Sequence, residues 1–328
     1  MSKNAFVFTL LVALLAATAI VASAPAQAQN GSLTRSFVSS AGLDTNACTI
    51  AAPCATFAHA YTVIGANGII AALDPGKYGP IAITGPVTIN GNGWAAITAP
   101  ATSAGITITA GSGNVTLSGL EIDGAGAAYN GIVFNSGGNL VVRNCVLKDF
   151  VYNNGFTTGN GILIAPASGT ITFTIVDTIV SNSQDAGIQY LPPSGSATAT
   201  GVIDHVVVTG TTFEGGIGAL MGDSTGSAAI GISNSVLSNN TGAAGVYANA
   251  PNGSIAMTLD NDEISYNAYG ILNNPGSTMV LGRSTITNNS TYGIDNNSTI
   301  NTFQNNQIYA NGHGNAVNGN ALTTVSPQ

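Results

Sequence analysis

A parallel β-solenoid is the all-β fold this sequence predicts, and three observations predict it. Gly followed by Ile or Val recurs at Gly105, Gly131, Gly161, Gly187, Gly216, Gly245, Gly270 and Gly293, at spacings of 23 to 30 residues. Internal self-similarity of this period is the signature of a repeat architecture. Between those points runs a fixed internal register of apolar and Asn/Asp columns. Finally, charged residues are only 6% of the 328, against a usual share of about 25%, while 45% are hydrophobic and 42 are Gly.

The register reads as follows. One aliphatic column is Ile122, Leu147, Val180, Val207, Leu237, Ile264, Ile286 and Ile308. Five residues before each stands Leu117, Val142, Ile175, Val202, Ile232, Leu259, Leu281 and Phe303, all apolar. Two before those come Val115, Leu140, Phe173, Thr200, Ile230, Met257, Met279 and Asn301. Apolar positions two apart share one face of a strand. The five-residue step breaks that alternation, so the chain turns there. Three residues before the first column stand Gly119, Asn144, Asp177, Asp204, Asn234, Asn261, Arg283 and Asn305. Asn and Asp tolerate the left-handed conformation such a turn needs. No segment of the repeat is long enough for a helix.

A unit this short buries its apolar face only against its neighbours. Stacked strands lie about 4.8 Å apart, so nine or ten rungs are expected, with the Asn column forming an amide ladder. In such a stack like residues sit directly over one another, and like charges there repel. The low charge is therefore first a structural demand. The formal charge of −8, with six Lys and Arg in all, argues against nucleic acid, whose phosphates need clustered cations, and against a polybasic membrane patch.

The N-terminus carries Lys3, an apolar run over Ala5–Ser23 and the cleavage pattern Ala26-Gln27-Ala28, with Ala24-Pro25-Ala26 as an earlier option. It reads as a signal peptide over 1–28 rather than an uncleaved anchor, although the run approaches the ~20 residues that span a bilayer. No later segment is apolar enough to span. The expected location is outside the cytoplasm: periplasmic, secreted or at the cell surface. Cys48 and Cys54 flank Pro53 and can close a small loop, so a disulfide is expected in that oxidising setting. Cys145 reads as a small apolar filler. No metal-ligand spacing occurs.

A solenoid end needs a cap. Pro53–Ile64 can form an amphipathic helix with Phe57, Tyr61 and Ile64 on one face, ended by Gly65 and Gly68. Ile69–Leu73 reads as a strand and Asp74–Tyr78 as a turn. The expected organisation is 1–28 signal peptide, 29–68 N-terminal strand, disulfide loop and capping helix, 69–310 parallel β-helix, and 311–328 a tail or final cap.

The stretch Phe37-Val38-Ser39-Ser40 leading to Cys48-Thr49 and Pro53-Cys54, the helix after it, the Pro75-Gly76-Lys77-Tyr78 turn and the short rungs together resemble exported members of the pectin-lyase-like superfamily. The resemblance covers about residues 35 to 310 and implies a right-handed parallel β-helix. That fold carries lyases, hydrolases, epimerases and adhesins, so it leaves function open. Pectate lyases of the fold use clustered Asp ligands for Ca²⁺ and an Arg base; Arg143 with Asp123, Asp149 and Asp177 is the nearest match here. Polygalacturonases of the fold show a Gly-His-Gly motif, matched by Gly312-His313-Gly314, but the Asp-Asp and Arg-Ile-Lys partners are missing.

Asp123, Asp149, Asp185 and Glu214 all follow the aliphatic column, so a stack would align them along one side of four rungs. Such a stripe could hold an acid/base pair or Ca²⁺; no other cofactor and no resident metal is expected. The longest loops carry aromatics, Tyr152 and Phe156 on one and Tyr190 on the next, and these are the candidate ligand-binding residues. The expected function is a non-catalytic exported β-helix protein that contacts polysaccharide or a cell-surface glycan through loops on one side of the rod. The alternative is a polysaccharide-degrading or -modifying enzyme, a glycoside hydrolase or lyase, using those carboxylates.

Overall fold

The computed structural model describes residues 31–153, 155, 157–313 and 317–326. The signal peptide expected over 1–28 and the candidate Phe156 lie outside them. The chain forms a right-handed parallel β-helix. One sheet has ten strands, from Ile81–Ile83 through Ala104–Thr109, Asn130–Ser136, Asn160–Ile164, Ala186–Tyr190, Gly215–Leu220, Ala244–Asn249, Tyr269–Asn273 and Tyr292–Asn296 to Val317–Gly319. We call its outer surface face I. A twenty-stranded sheet wraps the rest. It runs as two lanes, because the long strands Val87–Thr98 and Val115–Asp123 pair along their first halves with one set of strands and along their second halves with another. Face II includes Asn139–Arg143, Thr170–Val176, Thr198–Asp204 and Ser227–Ser233; face III includes Val146–Phe150, Ile179–Ser183, Val207–Thr209 and Val236–Ser238.

The repeat has a steric cause. At Gly131, Gly161, Gly187, Gly216, Gly245 and Gly270, an added Cβ would lie 2.4 to 2.9 Å from the carbonyl oxygen of the next glycine in the column. At Gly161 and Gly187 it would also strike the core side chains of Val180 and Val208, at 2.3 and 2.1 Å. Any side chain would push the rungs apart or invade the core, so only Gly fits at this close approach.

The interior columns follow the expected register in most rungs and differ by one residue in two. The face II column is Leu117, Val142, Ile175, Ile203, Ile232, Leu259, Leu281 and Thr302. Val202 and Phe303, expected in it, point away from the core, and Val202 is 46% exposed. The face III column likewise takes Val208 in place of Val207. A slip of one residue flips a strand's faces; Ile203 and Val208 are apolar neighbours that take the places of Val202 and Val207, whereas Phe303 is replaced by Thr302. Met279 pairs with Ile300, not Asn301. Gly201 stands where Thr200 was expected, and the Phe173 ring fills the space its side chain would need.

The turn between faces II and III is left-handed at Asn144, Asp177, His205, Asn234, Asn261 and Arg283, with φ between 49° and 62°. His205 thus replaces the expected Asp204, and Gln304, at φ 60°, replaces Asn305. Asn261 donates to Asn234 at 2.8 Å in this exposed turn. The deeper amide ladder lies at the opposite corner of face III. There Asn240, Asn267, Asn289 and Asn311 stack with their side chains buried. Each oxygen of Asn267, Asn289 and Asn311 accepts the backbone N–H of the Asn before it, at 3.0 Å. Their amide groups donate to the carbonyls of Leu237, Ile264 and Ile286.

At the N-terminal end Leu33–Val38 pairs in parallel with Ile64–Ala72. The helix is shorter than expected, Phe57–Val63, with Thr56 as N-cap accepting the His59 N–H at 3.1 Å. Ile64 already begins a strand, so neither Gly65 nor Gly68 ends the helix. Phe57, Ala60 and Tyr61 are buried against the first strands. Cys48 and Cys54 form the disulfide. Cys145 is a buried free thiol, raised to about 11 by burial. At the far end, Val317–Gly319 and Thr323–Thr324 still pair with the preceding rung, so strand pairing continues past residue 310.

Candidate functional site

The four acids expected in one stripe fall into three places. Asp123 ends a face III strand, caps Ala125 through its N–H at 2.7 Å and lies 3.6 Å from Lys148 Nζ. Asp149 takes a left-handed φ of 66° within the face III strand Val146–Phe150 and accepts from Asn182 Nδ2 at 3.0 Å. Arg143 is exposed at the end of its face II strand. Only Asp185 and Glu214 come together, at the entrance to face I.

The backbone dictates that meeting. The residues just before successive face I strands form a continuous ladder, in which Gly159 N–H donates to Tyr129, Asp185 to Gly159 and Glu214 to Asp185. Asp185 and Glu214 therefore stand on neighbouring rungs, about 4.8 Å apart along the stack. Asp185 is fully buried and Glu214 is 9% exposed. Glu214 Oε2 lacks a hydrogen-bond partner, and the Asn160 side chain is the polar group acting on the Asp185 carboxyl. Burial, and then the Glu214 charge, push Asp185 far above the usual carboxylate range, while the Asn160 side chain opposes them. Burial alone raises Glu214. Near neutral pH the pair therefore retains protons.

Face I beside this pair is not a plain sheet surface. Its outward column includes Val133, Leu163, Gln189, Gly218 and Tyr247. Gln189 is fully buried, and neither polar atom of its amide has a partner. Gly218 leaves a notch: an added Cβ would meet only Gln189, at 3.6 Å and beyond. Tyr247 is raised by burial, with the Glu214 charge among the weaker causes, and accepts from Asn274 Nδ2 at 3.4 Å.

A groove of about 570 Å³ opens over the earlier rungs of this face. Its apolar lining is Val133, Leu163, Leu191, Pro192 and Pro193, and its polar lining includes Asn130, Thr157 and Asp223. Asp223 is the one charged group among its lining residues. Asp185 and Glu214 do not line it. They continue its edge, because Asn130 accepts the Asn160 N–H at 3.0 Å and donates to Thr157 O at 2.9 Å, and Asn160 is the residue acting on Asp185.

Of the candidate aromatics, Tyr152 stacks on Phe213, with ring centroids 4.9 Å apart. Gln184 ties the two loops, accepting the Tyr152 N–H at 2.9 Å through its side chain and the Thr212 hydroxyl at 3.0 Å through its carbonyl. Phe213 is 47% exposed and immediately precedes Glu214. Tyr190 is instead a core residue, 1% exposed, its phenol pushed to about 12 by burial. It lies on the inward side of Ala186–Tyr190, which its loop-adjacent position in the sequence did not reveal. Gln189 and Phe213 were missed. A lone Gln in the otherwise apolar strand Ala186-Gly187-Ile188-Gln189-Tyr190 was the available signal.

Among the described residues, Cys48, Cys54 and His59 form the one cluster of three potential metal ligands. The two sulfurs are joined to each other, so the cluster offers no thiolate. No helix among those residues is long and apolar enough to cross a membrane. No family model and no curated protein matches the chain. A solved structure similar to it is the crystal structure of pectate lyase Pel9A, 14% identical, with a TM-score of 0.47 over 86% of this chain and 80% of that one.

Proposed function

We propose that this protein binds a neutral polysaccharide along face I, through the groove and the loops that flank it. The observation that carries the reading is the chemistry of the groove. An apolar floor edged by amides and hydroxyls suits a sugar chain, which presents flat C–H faces and a rim of hydroxyls. No Lys or Arg lines it, and the chain's formal charge is −8, so a polyuronate would meet repulsion rather than a cationic partner. The stacked Tyr152 and Phe213 extend the surface available to sugar rings. Export is part of this reading, supported by the N-terminal pattern and by a disulfide suited to an oxidising compartment.

The test is affinity electrophoresis of the mature protein in gels containing neutral polysaccharides (cellulosic, xylan, mannan and galactan) and polygalacturonate. Retardation by a neutral polymer, reduced by Tyr152→Ala, is the expected result. Retardation by polygalacturonate alone, or by no polymer, overturns the reading.

The Asp185–Glu214 pair favours a second reading, an acid-dependent carbohydrate-active enzyme. Their backbones stand on neighbouring rungs, about 4.8 Å apart, a spacing compatible with the carboxyl separation of about 5–5.5 Å used by retaining glycosidases. Asp185 is wholly covered, however, which places binding ahead of catalysis. Release of reducing or unsaturated sugar, abolished by Glu214→Gln, would establish this second reading.

A further inference from the structure

On a different side of the rod, face II carries a second concave site whose chemistry is that of a sugar subsite. It spans three rungs and encloses about 380 Å³, within the range of about 300–1,000 Å³ typical of small-molecule pockets. The site exists because of Gly282. That residue stands between Asp260 on the preceding rung and Phe303 on the next. An added Cβ would lie 3.2 Å from both Asp260 Oδ1 and Phe303 Cδ2. Glycine thus keeps open a pit with a carboxylate on one wall, an aromatic ring on the other, and Val280 in its lining.

The polar wall is built. Arg283 grips Asp260 with two parallel hydrogen bonds, Nε to Oδ1 at 2.9 Å and Nη2 to Oδ2. Such forked pairs have fixed geometry. The guanidinium is still 63% exposed and Asp260 37%, so both keep hydrogen-bonding capacity toward the pit. Asn305 fixes the Arg283 backbone by accepting its N–H at 2.9 Å, and with Thr258 it completes the rim. Phe303 reaches this wall because the rung is offset by one residue: Thr302 takes the interior position opposite Leu281 and releases the ring outward.

We propose that this pit is a saccharide subsite that seats a single neutral pyranose ring, its apolar face on Phe303 and its hydroxyls on Asp260 and Arg283. A neutral ligand is favoured because the two charges neutralise each other within the wall and the chain as a whole is acidic. The aromatic face supplies a flat apolar platform, and the paired charges supply directional bonds. The site stands on its own geometry, apart from the groove on face I, so either can fail alone.

The test uses the full mature chain with ring-labelled Phe, titrated by NMR with cellohexaose, xylohexaose, mannohexaose and, as polyanion, trigalacturonate. The expected result is a saturable shift of the Phe303 ring signals by at least one neutral hexasaccharide. Phe303→Ala should weaken that binding component tenfold or more, and Gly282→Ala, which only fills the pit, should do the same. Tyr152→Ala should leave this component unchanged while reducing binding at face I. If Phe303→Ala does not fold, Gly282→Ala decides the matter. The proposal is overturned if no neutral probe at millimolar concentration shifts the Phe303 ring, if only trigalacturonate does, or if Gly282→Ala leaves the shift intact.

Discussion

Glu214 stands one rung beyond Asp185, its backbone N–H donating to the Asp185 carbonyl at 3.0 Å, so two carboxyls share one buried place with no cation beside them in the described residues. Asp262, 3% exposed, is a third buried acid, raised to about 7 by burial although the Ser235 and Asp260 N–H groups bond to it. In all three the folded state holds protons that the unfolded chain releases near pH 4. Stability is then fully present below that point and falls as pH rises toward 7 and above, by about 1.4 kcal/mol for each pH unit separating a folded from an unfolded pKa. The melting temperature should drop by several degrees between pH 5 and pH 8, and Asp185→Asn should flatten that slope. A melting temperature that rises over this interval contradicts the assignment.

The opposite limb belongs to other acids. Hydrogen bonds from the Ser39 hydroxyl, the Ser40 N–H and the Tyr78 hydroxyl hold Asp74 well below the usual range. At Asp204 burial pushes upward, but bonds from Asn234, Ser233 and His205 outweigh it and leave it at about 2. Their stabilisation is present above about pH 4 and is lost as pH falls through the folded values. Thermal unfolding followed by circular dichroism should therefore show greatest stability near pH 4–5, with a second decline below pH 4.

The one-residue offset in the Thr198–Asp204 rung can be tested with a pair of variants. Ile203→Ala should cost roughly 2–5 kcal/mol, as expected for a buried Ile, whereas Val202→Ala, at an exposed position, should cost less than about 1 kcal/mol. Urea denaturation of both variants gives the comparison. The reverse order would mean that the face II column runs through Val202.

The buried amide ladder predicts a similar contrast. Asn267→Ala leaves the Asn240 N–H without its partner and takes one donor from the Leu237 carbonyl, an unmet buried group being worth about 1–3 kcal/mol. Asn261→Ala, in the exposed turn, removes one solvent-accessible bond and the left-handed tolerance of Asn, and should cost less. Comparable losses from the two would deny the ladder its role.

Glycines divide in the same way. Gly187→Ala would set a methyl group 2.1 Å from Val208 and should prevent folding or lower the melting temperature sharply. Gly231 has no neighbour within 4 Å of an added Cβ and no positive φ, so Gly231→Ala should be neutral or stabilise by up to about 1 kcal/mol. A differential scan of both variants separates a steric glycine from an incidental one.

The repeat, the stacked interior and the helix near Phe57 were legible in the sequence because stacking forces chemically similar residues into fixed positions. In the rung of residues 198–209 the errors arose where two adjacent residues were both apolar, Val202-Ile203 and Val207-Val208, so that periodicity could not choose between them; in the Thr299–Thr302 rung the interior position is held by Thr302, which an apolar pattern passes over in favour of Phe303. The Asn column was visible, but the buried ladder at Asn240, Asn267, Asn289 and Asn311 was not: each stands three residues after its aliphatic-column residue, yet only the later rungs carry Asn there, and earlier ones hold Phe150, Ser183 and Thr211. Asp185 and Glu214 could be named as candidates from their position after that column. Their separation from Asp123 and Asp149 depended on turn lengths within each rung, which the sequence pattern does not resolve. Gln189 and Phe303 acquire their surroundings only from neighbouring rungs.

The glycine column also sets how this protein can change in length. Each glycine touches the carbonyl of its successor, so a deletion within the strand that carries it would bring a bulky side chain to that contact and jam the spiral, whereas the loops absorb small differences in coil length. Excising one complete coil, for instance residues 217–245, would carry Gly216 directly to the position before Val246 and leave every junction filled by the same residue type. The height of this molecule is quantised, and lineages that make the rod taller or shorter should do so in whole turns.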